Sequence, residues 1–391
     1  MRKLSEITNK LYGQPMFELL AKAKRMEADG KKIIHYEIGD PKFDTPENIV
    51  AAAKKALDDG MTHYTNSDGL PEFKEAIREH VNRYYGFRPT YKQVVVCPAN
   101  AIIDFVCRLT TNPGEEIIYP NPGFPTYYSS IVYNDFKPVP VFLKEENDFR
   151  VQPEDIESKI TDKTSLIIIN SSHNPTGSVI SPWEVEEIYR IAEEKDVYLL
   201  TDEVYSRIIY DRGFVSPSLK DQCKDRTIIL SSMSKVYSMP GWRLGYAIGP
   251  EPLMEKMSLL VQTIISCLPP FIQKAGVEAL LGNQNEISRR THSLLLCRDT
   301  LIRGLNSLHG VKCTVPHGAF YAFPNIKGTG FTSDEYCEKL LEETGVCVLP
   351  GNCFGSGGEG YVRLCYASVS FDEIVESIEK MQIFHSKLGV G

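Results

Sequence analysis

The sequence lacks the features that mark small disulfide-stabilised proteins, secreted proteins and membrane proteins. Its ten cysteines form no Cys-x-x-Cys pair, so neither a zinc ribbon nor a disulfide framework is indicated, and reduced thiols in a cytoplasmic protein fit better. The N-terminal stretch has no apolar core followed by small residues, which predicts no secretion signal. No apolar run approaches the length that crosses a bilayer. We therefore expect a cytoplasmic protein that has no membrane partner.

An excess of basic residues is also missing. The formal net charge is -8, which argues against a nucleic-acid partner recruited by a basic surface. Repeats and low-complexity segments are absent. What the chain does have is length and hydrophobicity. Its 391 residues, 42% hydrophobic and 24% charged, predict a large folded core and leave room for two domains.

Residues 228–249 carry the most chemical information. An apolar run ends abruptly in a polar stretch that holds Ser232, Ser234 and Lys235, and a second apolar run follows Arg243. The pattern predicts a strand, a loop and another strand. Hydroxyl and guanidinium groups bind phosphate oxygens well, and a partly buried lysine near cations can become a nucleophilic amine. An ordinary surface loop is the alternative for this stretch taken alone.

Short apolar strands alternate with helical stretches from residue 93 onward. This pattern predicts an α/β fold with a mostly parallel seven-stranded sheet covered by helices on both faces. The predicted strands are 94–96, 116–119, 139–142, 165–169, 197–200, 228–230 and 244–248. The predicted helices between them are 99–111, 126–133, 153–160 and 182–195.

Three polar clusters follow predicted strands of this sheet. Asn174 follows one strand, Asp202 and Tyr205 follow the next, and Lys235 follows a third. Each cluster alone has a structural explanation, since Asn-Pro and Thr-Gly form turns and aspartate often caps helices. Ligands bind at the carboxyl ends of parallel strands, where all three clusters meet. Their conjunction favours one functional site.

The order and spacing of these motifs resemble the class I/II aminotransferases, which are aspartate aminotransferase-like enzymes of pyridoxal 5′-phosphate (PLP) fold type I. The resemblance extends from residue 39 to YVRL at 361–364. The matching motifs are GDPKFDTP at 39–46, HNPTG at 173–177, DEVY at 202–205, SMSK at 232–235 and GWRLG at 241–245. It implies a large PLP-binding α/β domain over 45–284 and a small α+β domain built from 1–44 and 285–391.

The resemblance also implies roles around the PLP ring. Lys235 would bind PLP as a Schiff base and then move the proton that leaves the substrate α-carbon. Asp202 would keep the pyridine nitrogen protonated, because a buried carboxylate favours a cationic partner. Tyr205 and Asn174 would donate hydrogen bonds to the ring oxygen. Phe124 would stack on the ring, although a core phenylalanine is the alternative.

Further implied roles concern the PLP phosphate. Ser232, Ser234 and Arg243 would hold it through their side chains. The backbone N–H groups of Ala99 and Asn100, at the start of a helix, would add donors where the helix dipole favours an anion.

The remaining implied roles concern the substrate and the second subunit. Arg363 would bind the substrate α-carboxylate in a bidentate pair. The backbone of Gly39 would close over the substrate. Tyr64 would contribute to the phosphate site of the neighbouring subunit, which implies a homodimer with shared active sites. A solvated tyrosine in a polar loop is the alternative for Tyr64.

The implied activity is transfer of an amino group between an L-amino acid and a 2-oxo acid by a ping-pong mechanism, without a metal. Ala99 stands where aspartate-using relatives can carry a lysine, so we expect an enzyme that is not specific for aspartate and that prefers a substrate with an uncharged side chain. Glutamate bound through another cation is the alternative. A PLP-dependent C–S lyase, or another enzyme that cleaves the Cα–H bond, is the alternative reading because the site residues serve both. A non-enzymatic PLP-binding regulator fits less well, since the chain is acidic and carries no DNA-binding head.

Overall fold

The computed structural model describes residues 2–11 and 16–388, so the outer ends of the predicted small domain, residues 1 and 389–391, lie outside it together with 12–15. Helices cover much of the described chain. The α-helices are α1 (Met16–Ala28), α2 (Glu47–Asp58), α3 (Pro71–Tyr85), α4 (Ala99–Thr110), α5 (Pro125–Tyr133), α6 (Pro153–Glu157), α7 (Pro182–Glu194), α8 (Ser218–Asp221), α9 (Met233–Val236), α10 (Glu251–Ile264), α11 (Pro270–Leu281), α12 (Asn285–Leu305), α13 (Ser333–Thr344) and α14 (Phe371–Leu388).

The strands form one large sheet and two small ones within the described residues. They are β1 (Ile34–His35), β2 (Val94–Val96), β3 (Glu116–Asn121), β4 (Lys137–Phe142), β5 (Thr164–Asn170), β6 (Tyr198–Asp202), β7 (Thr227–Ser232), β8 (Gly245–Ile248), β9 (Tyr321–Ala322), β10 (Val346–Cys347), β11 (Leu349–Pro350) and β12 (Val362–Cys365).

The large sheet has seven strands in the order β2-β8-β7-β6-β5-β3-β4. Strands β3 to β7 pair in parallel, whereas β8 runs antiparallel to both of its neighbours. The predicted mostly parallel α/β sheet is therefore confirmed, with strand ends within two residues of the predicted ones. The connection between β7 and β8 holds only the one-turn helix α9 and a 3₁₀ turn at Pro240–Trp242, whereas neighbouring parallel strands are usually joined by a longer helical crossover.

The central strands β5, β6 and β7 are buried on both faces of the large sheet, and their successive side chains point to opposite sides. In β5, Leu166 and Ile168 join a core cluster with residues of α4, whereas Ile167 and Ile169 join a second cluster with residues of α7. The four central positions of β5 therefore all need apolar side chains, which is why Leu166–Ile169 form a continuous hydrophobic run.

Two local features differ from the sequence-based expectation. Lys235 lies on the one-turn helix α9 rather than in an open loop. Helices α10, α11 and α14 were not singled out by any sequence pattern, although α11 packs extensively on α2 and α3. None of the helices in the described ranges is long and apolar enough to span a membrane.

The two small sheets connect distant parts of the chain. Strand β1 pairs in parallel with β10, and β9 and β11 flank β12 in an antiparallel sheet of three strands. The N-terminal segment is thereby joined to the C-terminal part. The second of these sheets carries Arg363 on its central strand.

Candidate active site

A cavity of about 500 Å³ opens at the carboxyl ends of β5, β6 and β7. This is where ligands bind in parallel α/β sheets. Strand register places Asn170 opposite Asp202 at this edge, so the polar clusters that follow these strands meet. Twelve residues that the sequence singled out line the cavity: Gly39, Ala99, Asn100, Phe124, Asn174, Asp202, Tyr205, Ser232, Ser234, Lys235, Arg243 and Arg363.

The amine of Lys235 faces this cavity from the short helix α9. Ser232, the last residue of β7, caps the helix by accepting a hydrogen bond from the N–H of Ser234 at 3.1 Å. Lys235 Nζ donates to the carbonyl oxygen of Gly39 at 2.5 Å. Burial lowers the pKa of Lys235 to about 8. Nearby groups have smaller effects on this pKa, some raising it and some lowering it. A substantial neutral fraction at mildly alkaline pH makes this amine a competent nucleophile.

Asp202 presents a buried carboxyl group to the same cavity. The hydroxyl of Tyr127 donates a hydrogen bond to its Oδ2, and the N–H of Val204 donates to its Oδ1 at 3.3 Å. Burial raises the pKa of Asp202 to about 6, although both hydrogen bonds act in the opposite direction. A carboxylate held in such surroundings is stabilised by a cationic partner.

A second set of cavity residues offers hydrogen-bond donors to an anion. The hydroxyls of Ser232 and Ser234 lie 2.9 Å apart, and Arg243 is exposed, with one Nη1 contact to the carbonyl of Pro240 at 2.7 Å. Helix α4 begins at Ala99, and no side chain caps its N-terminus. The first amide groups of α4 are therefore available to an anion, which the helix dipole also favours.

The N-terminus of α4 also packs closely against the sheet. A Cβ atom on Gly245 would lie 2.7 Å from the carbonyl oxygen of Ser231 and 2.9 Å from that of Cys97. Glycine at the start of β8 thus allows the chain segment before α4 to approach the strands. The close approach keeps the amide groups of α4 beside Ser232.

Arg363 is fully buried and has no acidic partner among the described residues. Its Nη2 donates to the carbonyl of Glu37 at 2.6 Å, and its Nη1 donates to Oδ1 of Asn174 at 3.2 Å. Its Nε has no hydrogen-bond partner. The guanidinium lies between two aromatic rings, 4.7 Å from the centroid of Tyr321 and 4.8 Å from that of Phe354. An uncompensated, preoriented guanidinium at a cavity wall suits a carboxylate ligand.

A chain of hydrogen bonds fixes the polar residues between Asp202 and Arg363. The side chain of Asn170 donates to the carbonyl of Asp202 at 2.9 Å and accepts from the N–H of Asn174 at 2.9 Å. The hydroxyl of Tyr205 lies 2.8 Å from the hydroxyl of Tyr321. Tyr205 and Asn174 thus approach the cavity with orientations set by their neighbours.

The surroundings of three further predicted residues, Phe124, Gly39 and Tyr64, are as follows in the structure: two line the cavity and one does not. Phe124 is half-buried and meets the ring of Tyr127 edge-on, with centroids 5.8 Å apart. Gly39 lies so close to Tyr321 that a Cβ atom there would be 2.3 Å from the tyrosine hydroxyl. Tyr64 is 89% exposed and does not line the cavity.

Sequence reasoning missed several residues of the site. Tyr127 had a usable signal, because it follows Phe124 by three residues at the start of a helix and so lies on the same side. Asn170 is the last residue of β5 and also stood next to a recognised cluster. Tyr321 and Phe354 had no such signal, since they come from a part of the chain remote from the large sheet.

The model of the family described as "Aminotransferase class I and II" matches residues 31–381. The chain therefore belongs to this family of PLP-dependent enzymes. It is an aminotransferase that acts on amino acids and 2-oxo acids. The alternative, a C–S lyase, is not favoured, because the relatives reported below are aminotransferases.

Individual relatives cover nearly the whole chain. An aspartate aminotransferase of Pyrococcus horikoshii is 36% identical over 93% of this chain and 93% of its own length. An asparagine–oxo-acid transaminase of Streptococcus mutans is 35% identical over 99% of this chain and 100% of its own length. The crystal structure of the Rhizobium meliloti aspartate aminotransferase superposes with a TM-score of 0.93 at 33% identity, covering 98% of each chain. These likenesses establish PLP fold type I.

Proposed function

We propose that this chain binds PLP in the cavity and uses it to transfer an amino group between an uncharged L-amino acid and a 2-oxo acid by a ping-pong mechanism. The observation that carries the proposal is the presence of Lys235, Asp202 and Arg363 around one cavity of about 500 Å³. A nucleophilic amine, a buried acid and an unpaired guanidinium are the three groups that such a transfer needs.

The side chains around the cavity fit the chemistry of PLP. Asp202, whose burial raises its pKa, would face the pyridine nitrogen, and the resulting ion pair would relieve the cost of burying the carboxylate. Tyr205 and Asn174 would donate to the ring oxygen, and Phe124 would cover one ring face. The phosphate would be held by Ser232, Ser234, Arg243 and the amide groups of Ala99 and Asn100.

Lys235 supplies the nucleophile and the base. When bound, PLP supplies an aldehyde that condenses with amines and a protonated ring that withdraws electrons from the substrate α-carbon. The lowered pKa of Lys235 keeps part of its Nζ free of a proton near pH 8. With a substrate bound, Nζ would accept the proton that leaves the substrate α-carbon. The carbonyl of Gly39, which accepts from Nζ at 2.5 Å, holds the amine at the cavity.

Arg363 orients the substrate. Its bonds to the carbonyl of Glu37 and to Asn174, together with the two flanking rings, limit its motion. A substrate carboxylate bound to the guanidinium in two places has its α-carbon fixed relative to Lys235. Proton removal from that carbon then needs little further reorientation.

The proposed substrate class rests on the cations of the cavity. Its lining residues include three cations, Lys235, Arg243 and Arg363, and each of them has a role given above. Ala99 lines the wall where a lysine could have paired with a second carboxylate. An uncharged amino acid is therefore favoured, and the Streptococcus mutans relative named for asparagine supports this choice. The Pyrococcus horikoshii relative named for aspartate supports the competing choice.

A half-reaction assay tests both the activity and the substrate class. Single amino acids are added to the PLP-loaded protein, and the loss of the visible absorbance band is followed together with the formation of the matching 2-oxo acid. We expect an uncharged amino acid to react fastest. Aspartate as the best donor would contradict the substrate class. Failure of every donor, or release of a thiol from cysteine-type substrates, would contradict transamination and support a lyase.

We also propose that the protein is a cytoplasmic homodimer and that Tyr64 reaches the phosphate site of the second subunit. The exposure of Tyr64, at 89%, supports this because an aromatic side chain so exposed is available to another chain. In this proposal residues 45–284 form the PLP-binding domain, and 1–44 with 285–391 form the small domain. Sedimentation would give a dimer mass, and Tyr64→Phe would weaken PLP binding; a monomer with normal PLP affinity contradicts the proposal.

A further inference from the structure

Tyr321 is the residue through which the small domain touches several groups of the site at once. It lies on β9, is 1% exposed and lines the cavity. It pairs with Cys365 across the antiparallel ladder, so it shares a sheet face with Arg363, two residues before Cys365. The register of the small sheet therefore places its ring under the guanidinium, 4.7 Å from Cζ of Arg363.

The hydroxyl of Tyr321 contacts a different group. It lies 2.8 Å from the hydroxyl of Tyr205, with the two rings edge-on and their centroids 5.7 Å apart. Burial raises the pKa of both tyrosines, so both hydroxyls keep their protons. Each hydroxyl has one proton to donate. If Tyr205 gives its proton to a ligand in the cavity, Tyr321 is the donor of the hydrogen bond between the two tyrosines.

A third contact involves the backbone of Gly39. A Cβ atom at this position would lie 2.3 Å from the Tyr321 hydroxyl. The hydroxyl therefore fills the space that a side chain would take, directly beside the carbonyl that accepts from Lys235 Nζ. Tyr321 thus contacts three residues with different proposed roles: Tyr205, Arg363 and Gly39.

We propose that Tyr321 is a positioning residue: its hydroxyl directs the proton of Tyr205 into the cavity, and its ring holds Arg363 for the substrate carboxylate. This inference rests on the proposed function. A donor behind Tyr205 strengthens the hydrogen bond that Tyr205 makes, because bonds in a chain polarise one another. A cation over an aromatic face gains electrostatic stabilisation without losing its hydrogen-bond donors.

The hydroxyl is tested by a pH titration of the visible absorbance of bound PLP. We expect Tyr321→Phe to raise the apparent pKa of this absorbance by about half a pH unit, because a weaker Tyr205 donor stabilises the unprotonated form less. The double variant with Tyr205→Phe should titrate like Tyr205→Phe alone, since the hydroxyl acts through Tyr205. A Tyr321→Phe titration equal to wild type, or shifts that add, would overturn this role.

A matched control separates the proposed role from general loss of a buried hydroxyl. Tyr366 is equally buried and bonds the hydroxyl of Tyr210 at 3.1 Å, but it does not line the cavity. Tyr366→Phe should leave the absorbance titration unchanged. A shift as large as that of Tyr321→Phe would contradict the specific role of Tyr321.

The ring is tested by steady-state kinetics. Tyr321→Phe keeps the ring and should leave the KM for the preferred amino acid within about 2-fold, whereas Tyr321→Leu should raise it about 5-fold. Equal KM values for the two variants would contradict the role of the ring. If Tyr321→Phe does not fold, Gly39→Ala provides a second test, because its Cβ displaces the Tyr321 hydroxyl. It should raise the absorbance pKa, and no change would overturn the proposal.

The outcomes for wild type separate the two proposals. A wild-type protein that gains no visible absorbance with PLP contradicts the proposed function. A normal wild-type titration that is unchanged in Tyr321→Phe contradicts only the role of Tyr321.

Discussion

The hydroxyl of Tyr127 donates a hydrogen bond to Oδ2 of Asp202, and both side chains are buried at the carboxyl end of β6. Tyr127 comes from α5 and Asp202 from β6 of the large sheet, so the bond connects two elements that are distant in the sequence. It lowers the pKa of Asp202 without cancelling the effect of burial, which leaves that pKa near 6. Asp202 is thus ionised at neutral pH at a cost that a cationic ligand would remove.

The first prediction concerns the stability of the cofactor-free protein. The pKa of Asp202 rises from 3.8 to about 6 on folding, so the folded state binds the proton more tightly and loses stability as the pH rises through about 6. Asp202→Asn should therefore increase the free energy of unfolding by roughly 1–3 kcal/mol at pH 7.5, and the gain should vanish as the pH falls toward about 4. Thermal unfolding at several pH values measures this.

A matched control is Asp162→Asn, which changes an exposed carboxyl group and should leave the free energy of unfolding unchanged. Added PLP should stabilise wild type more than Asp202→Asn. A gain in stability that is the same at pH 5 and pH 7.5 would show that the charge of Asp202 is not its source.

The second prediction concerns the rate at which the cofactor-free protein captures PLP. Only the neutral amine of Lys235 attacks an aldehyde, and burial lowers its pKa to about 8. The rate of appearance of the visible band should therefore rise with pH, with a midpoint near that value, and then level off. Lys42→Ala, which removes an exposed lysine, should keep this profile, whereas Lys235→Ala should show no band. A rate that is flat from about pH 6.5 to 9.5 would refute the assignment.

The third prediction concerns the carboxylate site. Arg363→Lys replaces a planar fork with a point charge that cannot make the same paired contacts. We expect kcat/KM for amino acids to fall about 100-fold, mainly through KM, while the PLP absorbance remains. Stopped-flow half-reactions at increasing amino acid concentration measure the change. An unchanged KM would mean that the substrate carboxylate binds elsewhere.

The fourth prediction concerns substrate choice. Ala99→Lys places a cation at the cavity wall where this chain has a methyl group. The ratio of kcat/KM for aspartate to that for asparagine should rise about 10-fold, because the new amine pairs with the second carboxylate. Ala99→Met, which adds similar length without charge, is the matched control. Equal ratios in both variants would contradict the proposed position of the distal substrate group.

The sequence predicted the large sheet well because its strands carry a strong local pattern. The centre of β5 is buried on both faces, so the apolar run Leu166–Ile169 is required and is visible in the chain. The residues after β5, β6 and β7 were predictable for the same reason, since parallel strands end at one edge. Lys235 was placed in a loop rather than on α9, because a one-turn helix leaves no periodic pattern.

Contacts made by the small three-stranded sheet and the residues around it could not be predicted in this way. Tyr321 and Phe354 flank Arg363, yet they precede it by 42 and 9 positions in the printed sequence. Strands β9 and β11 have two residues each, too few for an alternating pattern to be recognised. Only the pairing of β9 with β12 determines that Tyr321 and Arg363 share one face.

The sequence by itself determined the order of the strands and helices around the large sheet and the chemical groups at its edge, because burial and turn formation act on neighbouring residues. The tertiary structure alone decided which groups touch. The shifted pKa values of Lys235 and Asp202 also depend on the tertiary structure, since a charge is buried by residues that are distant in the chain.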